Sequence, residues 1–434
     1  MLFMKKGRSL EDLVVRGARV IDPTEGLDRV CDVRVDKGVI AQLGTGVDAN
    51  GHRVIEGEGL VLAPAFVDPH VHLRVPGGED EETIASGTAA AAAGGYCAML
   101  AMPNTDPVVD SASVLGSLIE DARAEATIPV GFLAAITRGQ QGAELTEMVE
   151  LAEHGAAGFS DDGRPVVAPG LMRRALQYHR ITGRRLALHC EEPTLSKGGQ
   201  MHEGAVSAEL GFSGYPSVAE SVMVERDLSL AAYEEAPLHL LHLSARESVD
   251  ALRAAQARGV AATAEVTPHH LCLTDEAVRS LDSNLKMNPP LRSAADRAVL
   301  VEALADGTIA CVATDHAPHL RHEKEVPFEA APFGVTGLET AFAALYTHLV
   351  EPGLLKLETL LERMSAGPAR AYGLEPPRIA PGATANLVLL DTERAWRVQE
   401  DGFRSLSANS WLLGQTLRGH VRLTVAAGRT AFAA

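Results

Sequence analysis

Eight apolar runs, at residues 65–72, 96–103, 128–136, 156–160, 185–190, 237–243, 259–267 and 308–315, limit what this chain can fold into. Each is nearly continuous in Val, Ala and Leu instead of alternating with polar residues, the mark of a strand buried on both faces. Between them lie helical stretches such as SVLGSLIEDARAEA and DRAVLVEALADG. Strands alternating with helices predict a parallel sheet, and eight of them predict an α/β fold, a (β/α)8 TIM-like barrel. The two ends of the chain read differently. Residues 11–63, and near the C-terminus ATANLVLLD and QTLRGHVRLTVAAGRTAF, alternate apolar and polar residues between Gly, Pro and Asp turns, the period-2 pattern of short antiparallel strands. Neither end is long enough to make a sandwich alone. The expected organisation is therefore a composite β-sandwich domain from residues 1–63 plus 375–434, and a barrel over residues 64–374. No internal repeat and no low-complexity linker interrupts it.

Composition narrows the function. Hydrophobic residues make up 46% of the 434 and charged residues 22%, enough for a sizeable core and unlike a disordered chain. Lys and Arg number 39 against 57 Asp and Glu, a net charge of −18 with no basic block, which argues against nucleic acid or an anionic membrane surface as partner. A small molecule is expected instead. If it is an anion, the site needs a local positive centre. The five cysteines are scattered without a CxxC pair and read as reduced thiols, hence a cytoplasmic protein. The N-terminal MLFMKKGRSLEDL lacks the apolar core of a signal peptide. The most apolar stretch, Ala89–Met102, is broken by Gly94 and Gly95 and falls short of the ~20 residues a membrane span needs.

In a barrel of this kind chemistry collects at the C-terminal ends of the strands. The first run ends FVDPHVHLR, where His70 and His72 are two apart and project to the same side, so both imidazoles can reach one metal. The fourth ends GFSDDG, offering Asp161 or Asp162 as a ligand or as a turn aspartate. The fifth and sixth end LALHCEE and HLLHLSA with His189 and His242. A single histidine on an apolar strand is usually a satisfied core residue; four at consistent strand ends are not. The eighth, ACVATDHAPH, sets Asp315 at the mouth, with His316 and His319 just beyond, and an Asp there can hold water and shuttle its proton. Nitrogen and oxygen donors without thiolate suit catalytic Zn²⁺, with one or two ions per subunit, and also suit Mn²⁺ or Co²⁺. Arg74, two positions past His72, lies on the ligand side and can pair with a substrate carboxylate. Asn104 and Asn288 offer amide donors. His269 and His270 read as supporting or structural, and Cys190 faces away from His189. The Gly-rich segment SKGGQMHEGAVSAELGFSGYP suits a lid or a static packing loop equally.

Taken together, DPHVHLRVPG, AMPNTDP, GFSDDG, LALHCEE, LLHLSA, AEVTPHHL, KMNPPLR, CVATDHAPH and PFGVTGLET resemble, in order and over essentially the whole chain, the amidohydrolase superfamily and within it the class I dihydroorotase family. The resemblance implies that His70 and His72 bind one zinc, that Asp162, the residue before Gly163, bridges to a second, and that His189 and His242 complete that site. Asp315 would be both ligand and catalytic acid/base. His72, Arg74, Asn104, Asn288, His319 and the main chain of Phe333 and Gly334 would hold the substrate. The implied reaction is the reversible cyclisation of N-carbamoyl-L-aspartate to L-dihydroorotate in pyrimidine biosynthesis. Two departures stand out: Val75 replaces a common Glu, and Cys97 a usual Thr. Other cyclic amidases, the dihydropyrimidinases, hydantoinases and allantoinases, typically bridge their metals with a carboxylated lysine on strand four, and AAGFSDDG has none. A non-catalytic scaffold for aspartate transcarbamoylase would have lost ligands that are all present. A homodimer, and association with aspartate transcarbamoylase, are compatible with the sequence, which decides neither.

Overall fold

The computed structural model describes residues 1–7 and 9–434. Five strands come first: β1 (Leu13–Asp22), β2 (Leu27–Asp36), β3 (Val39–Gly44), β4 (Arg53–Glu56) and β5 (Val61–Pro64). The central run follows with β6 (Phe66–Val71), β7 (Tyr96–Ala101), β8 (Val130–Ala134), β9 (Gly158–Ser160) and β10 (Leu186–Leu188). After a small pair, β11 (Met201–His202) and β12 (Gly214–Tyr215), come β13 (Leu238–Leu240), β14 (Ala262–Val266) and β15 (Cys311–Val312). The chain ends with β16 (Leu387–Arg397), β17 (Thr416–Ala426) and β18 (Arg429–Ala433).

Strands β6 to β10 and β13 to β15 form one parallel eight-stranded sheet in chain order. Its edges meet where Val71 bridges His316 and the His72 amide donates to the His316 carbonyl at 2.8 Å, closing the (β/α)8 barrel. All eight expected strands are present but shorter than the apolar runs; the last shrinks to Cys311–Val312 as the chain turns through a left-handed Asp315 (φ 49°). At the end opposite the site, Leu100, Leu133, Ala187, Leu241 and Cys311 pack with Tyr372 and plug the lumen. Phe3 pairs with Val130, both bonds at 2.8 Å, and covers that end.

The terminal strands from both ends of the chain make a second eight-stranded sheet, ordered β18-β17-β16-β5-β1-β2-β3 with β4 also on β1. It has its own core of Leu13, Val15, Val20, Val33, Ile40, Leu62, Leu387 and Leu423, among others. One expectation needs correcting. The pairing is not antiparallel throughout, because β1 runs parallel to β4 and β5. The β2–β3 hairpin occupies one side of β1, so the returning chain enters on the other side in the same direction. The segment between β16 and β17 leaves this sheet and lies on the barrel, where Asn409 bonds Ala317, His319 and Gly334.

The Gly-rich segment after β10 is packed. Met201 and Val206 sit in a buried cluster with Met287, Leu291 and Phe328, and Arg292 ties the segment down through the Tyr215 carbonyl at 2.7 Å. Among the described residues, no helix is long and apolar enough to cross a membrane.

Phe66 lies in a core cluster that also holds Val388, Leu390 and Val421 of the terminal sheet. Fully buried at the start of β6, it stacks on Phe342 at 5.5 Å and meets Tyr96 edge-on at 5.7 Å. Phe66→Ala is expected to cost about 3–5 kcal/mol, read as a lower urea midpoint, whereas Ile181→Ala, at a side chain 68% exposed, should stay within about 0.5 kcal/mol.

Candidate metal centre

Six side chains meet at the C-terminal mouth of the barrel. His70 lies in β6 and His72 just past it; Asp162, His189, His242 and Asp315 follow the ends of β9, β10, β13 and β15. All six are buried. Asp162 turns its two carboxylate oxygens to different partners. Oδ2 lies 3.6 Å from His70 Nε2 and 3.5 Å from His72 Nε2, while Oδ1 lies 3.5 Å from both His189 Nδ1 and His242 Nε2. Asp315 Oδ1 sits 3.0 Å from His72 Nε2 and 3.3 Å from His70 Nε2. Three overlapping triads, His70–His72–Asp162, His70–His242–Asp315 and Asp162–His189–His242, each hold their donor atoms within 4.8 Å of one another.

The electrostatics point to cations. Burial favours the neutral form of every one of these groups. Against that, the carboxylates of Asp315, Asp162 and Glu265 hold the His70 pKa well above its usual value. His189 is likewise pushed up, against burial, to about 10 by Asp162 and Glu191. In turn His70 and its neighbours hold Asp162 and Asp315 well below the usual carboxylate range, again against burial. His70 Nε2 and Asp162 Oδ1 are nonetheless buried with no hydrogen-bond partner. Lone pairs without partners, on nitrogen and oxygen atoms around a shared carboxylate, are what divalent metal requires, and metal replaces the protons such a cluster would otherwise take up. The residues fit a metal pair bridged by Asp162.

Asp161, the other sequence candidate, faces away. Its carboxylate accepts the amides of Ile136 at 2.8 Å and Thr137 at 3.1 Å, and the Thr137 hydroxyl, so it ties the loop after β8 to β9. The remaining candidates divide. Arg74 and His319 are neighbours, with Arg74 Nη2 3.3 Å from His319 Nε2, and Arg74 Nε lies 3.0 Å from both the Pro318 carbonyl and Glu81 Oε2. Asn104 places its Oδ1 2.9 Å from His72 Nδ1, accepting that N–H, so that His72 turns its own Nε2 to the cluster. Asn288 Nδ2 donates to Glu191 at 2.9 Å, and Glu191 in turn reaches His189 Nε2 at 2.8 Å. Phe333 passes its carbonyl to His319 Nε2 at 2.9 Å, and its ring lies under Lys286 Nζ at 4.8 Å. Gly334 is required where it stands: at φ 126°, a Cβ would fall 2.7 Å from the Ala317 Cβ. Lys324 Nζ donates to the Pro332 and Gly334 carbonyls and holds this loop against the mouth.

His316 belongs to the framework, between Glu82 Oε2 at 3.1 Å and the Gly337 amide. His270 bonds Thr267 and Pro289, and His269 is buried beside it with its Nε2 unpartnered. Cys190 faces the outer helix layer, with Sγ 3.8 Å from Asp227. Arg74, His242 and Asp315 all have positive φ, at 61°, 28° and 49°, unfavourable values for residues with a Cβ that cluster where function demands them.

Sequence reasoning missed the acids behind the histidines. Glu265, in the middle of β14, contacts His70 Nδ1 at 2.7 Å; Glu191, two residues past His189, contacts its Nε2. The available signals were an acid inside the buried run ATAEV and the two-residue spacing in HCE. Asn409 was hidden because it arrives from the terminal sheet.

A family model described as "Dihydro-orotase-like" matches residues 59–248. A curated dihydroorotase of Geobacter metallireducens is 44% identical over 422 residues, 97% of this chain and 99% of that protein. One of Pelotomaculum thermopropionicum is 45% identical over 417 residues, 96% of this chain and 97% of that protein. Among solved structures, the L-hydantoinase (dihydropyrimidinase) of Arthrobacter aurescens aligns with a TM-score of 0.87 at 25% identity, covering 97% of this chain and 96% of that one. The dihydropyrimidinase of Brevibacillus agri aligns with a TM-score of 0.83 at 22% identity, over 96% and 94% of the two chains, a likeness of fold.

The two adjacent aspartates should separate cleanly. Asp161→Asn is expected to lower the thermal midpoint, by about 1–3 kcal/mol of stability, and to leave metal stoichiometry intact. Asp162→Asn should release metal with little change in the stability of the metal-free protein. Elemental analysis beside a thermal melt checks both.

Proposed function

The chain belongs to the dihydroorotase family, and we propose that it interconverts N-carbamoyl-L-aspartate and L-dihydroorotate at the cluster around Asp162, with Zn²⁺ as its metal. The observation that carries this reading is the division of Asp162 between two histidine pairs, with Asp315 beside one of them. His70, His72, Asp162 and Asp315 would hold one ion; Asp162, His189 and His242 would hold the other. Bound there, zinc supplies Lewis acidity, drawing electrons from an amide carbonyl and acidifying water.

The chain's own residues do the rest. Asp315, kept ionised by His70 and His72, is able to accept a proton at working pH. In ring opening it takes the proton of the attacking water and delivers it to the ring nitrogen as the amide C–N bond breaks. In ring closure the proton travels the other way, from the ureido nitrogen to the departing oxygen. Arg74 and His319 bind the α-carboxylate together, which answers how a chain of charge −18 admits an anion. Asn104 acts on both sides: its oxygen orients His72, and its Nδ2 is offered to the substrate. Asn288 and the Phe333–Gly334 main chain line the remaining wall. The β9 end offers Asp162 and no lysine, which favours dihydroorotate over the substrates of lysine-bridged amidases.

Ultraviolet absorbance of L-dihydroorotate tests this, with dihydrouracil run in parallel. Zinc-loaded protein is expected to open dihydroorotate and leave dihydrouracil untouched, a chelator should abolish the activity, and Asp315→Asn should lower kcat by about 10²- to 10⁴-fold. Turnover of dihydrouracil alone would overturn the substrate; turnover of neither by zinc-loaded protein would favour a scaffold.

A further inference from the structure

Beneath the cluster runs a chain of buried hydrogen bonds that the reaction does not use. Glu265 is fully buried, in the middle of β14, and among the described residues its ion-pair partners are His70 and His239, with no Lys or Arg. Its Oε1 lies 2.7 Å from His70 Nδ1 and its Oε2 lies 2.9 Å from His239 Nε2; the His242 amide approaches Oε1 at 3.4 Å. His239, itself fully buried, faces the Thr263 hydroxyl through Nδ1 at 2.8 Å. A carboxylate is acceptor only, so both imidazoles must present N–H to it. His239 Nδ1 then accepts from Thr263, and His70 carries its proton on Nδ1. That leaves the His70 Nε2 lone pair facing the cluster, the same atom that is buried without a hydrogen-bond partner.

We propose that Glu265, held by His239, is the positioning residue of the His70 metal site: it fixes the His70 tautomer and ring orientation and so sets the affinity of one zinc position over the other. The inference rests on the metal reading above. An isolated buried carboxylate is costly, and here two imidazole donors offset the cost. The same arrangement also strengthens the donor. A negative charge behind an imidazole N–H raises the basicity of the opposite nitrogen, and loss of such a partner typically weakens metal binding about 10- to 100-fold. Two of the other histidines are served differently. His72 is oriented by the neutral carboxamide of Asn104, and His189 by Glu191, which is shared with Asn288 and Ser196. His70 alone is joined to its carboxylate and then to a second buried histidine.

Competitive titration of the metal-free full chain with zinc against a chromophoric chelator, with bound metal counted by elemental analysis, tests the proposal. Glu265→Gln keeps an oxygen for His70 Nδ1 but removes the charge; Glu265→Ala removes both. The expected order of affinity at the His70 position is wild type, then Gln, then Ala, the last about 10- to 100-fold below wild type. The site built from His189 and His242 should stay filled. A merely structural Glu265 would instead lower the melting temperature of the metal-free protein and leave the zinc isotherm unchanged; wild-type affinity and stoichiometry in the Gln variant overturn the proposal. If the Ala variant fails to fold, the Gln isotherm decides alone. Failure of wild type to bind zinc overturns the metal centre itself, and this inference with it.

Discussion

Four buried or half-buried carboxylates, Asp162, Asp315, Glu191 and Glu265, converge on four histidines at one end of the barrel, and the rest of the structure is arranged to hold that density of charge out of water. Alone, these acids would repel one another and resist burial. Each instead has imidazole N–H or lone-pair neighbours, and Glu191 and Glu265 are drawn down to about 2 against their burial by the histidines they face. The balance is incomplete. Lone pairs at His70 Nε2 and Asp162 Oδ1 have no protein donor. The cluster's donors are of the kind that take hard or borderline divalent ions.

The barrel makes this possible through a division of labour along its axis. Within the lumen Leu100, Leu133, Ala187, Leu241 and the Tyr372 ring pack into an apolar cluster. At the C-terminal end the strands are short, so that the candidate ligands sit near a strand's last residues, as His70 does, or within three residues beyond them, where the backbone can take the conformations that aim each side chain. Positive φ at His242 and Asp315 is the cost of that aim. Acids one layer back, Asp161 and Glu82, tie loop amides and hydroxyls and keep the strand ends from relaxing. Binding and rigidity are thus supplied by different carboxylates, often adjacent in sequence.

That adjacency explains what the sequence disclosed. Eight apolar runs announced the barrel because burial on both faces leaves no polar alternation, and the histidines announced the site because four imidazoles at three strand ends are more than a core usually holds. Asp161 and Asp162 could not be separated on residue type, since a turn aspartate and a ligand look alike until one is seen accepting the amides of Ile136 and Thr137. Glu265 was illegible for another reason: a lone acid in ATAEV is explained only by two histidines 195 and 26 positions away. The parallel pairing of β1 with β4 and β5 depends on which side of β1 the chain re-enters, and alternation of polar and apolar residues carries no information about that. Asn104 was read as an amide donor; that its oxygen also faces His72 was not legible from residue type.

Selection of an anion by an acidic protein is the last matter of balance. Arg74 lies deep in the mouth and feels Asp315 and Asp162 as well as Glu81 and Glu323, while burial weakens its hold on its proton. One Glu81 oxygen takes Arg74 Nε at 3.0 Å, and the other lies 3.4 Å from His319 Nδ1, so a single carboxylate holds both basic groups in place. The Pro318 carbonyl fixes Arg74 from the other side. On the proposed reading, an arginine so restrained would offer its charge to an incoming carboxylate at little entropic cost, and a ring without a carboxylate would gain nothing from it. The fold is common to enzymes of many cyclic amides; the choice among them lies in where the positive charge is allowed to stand.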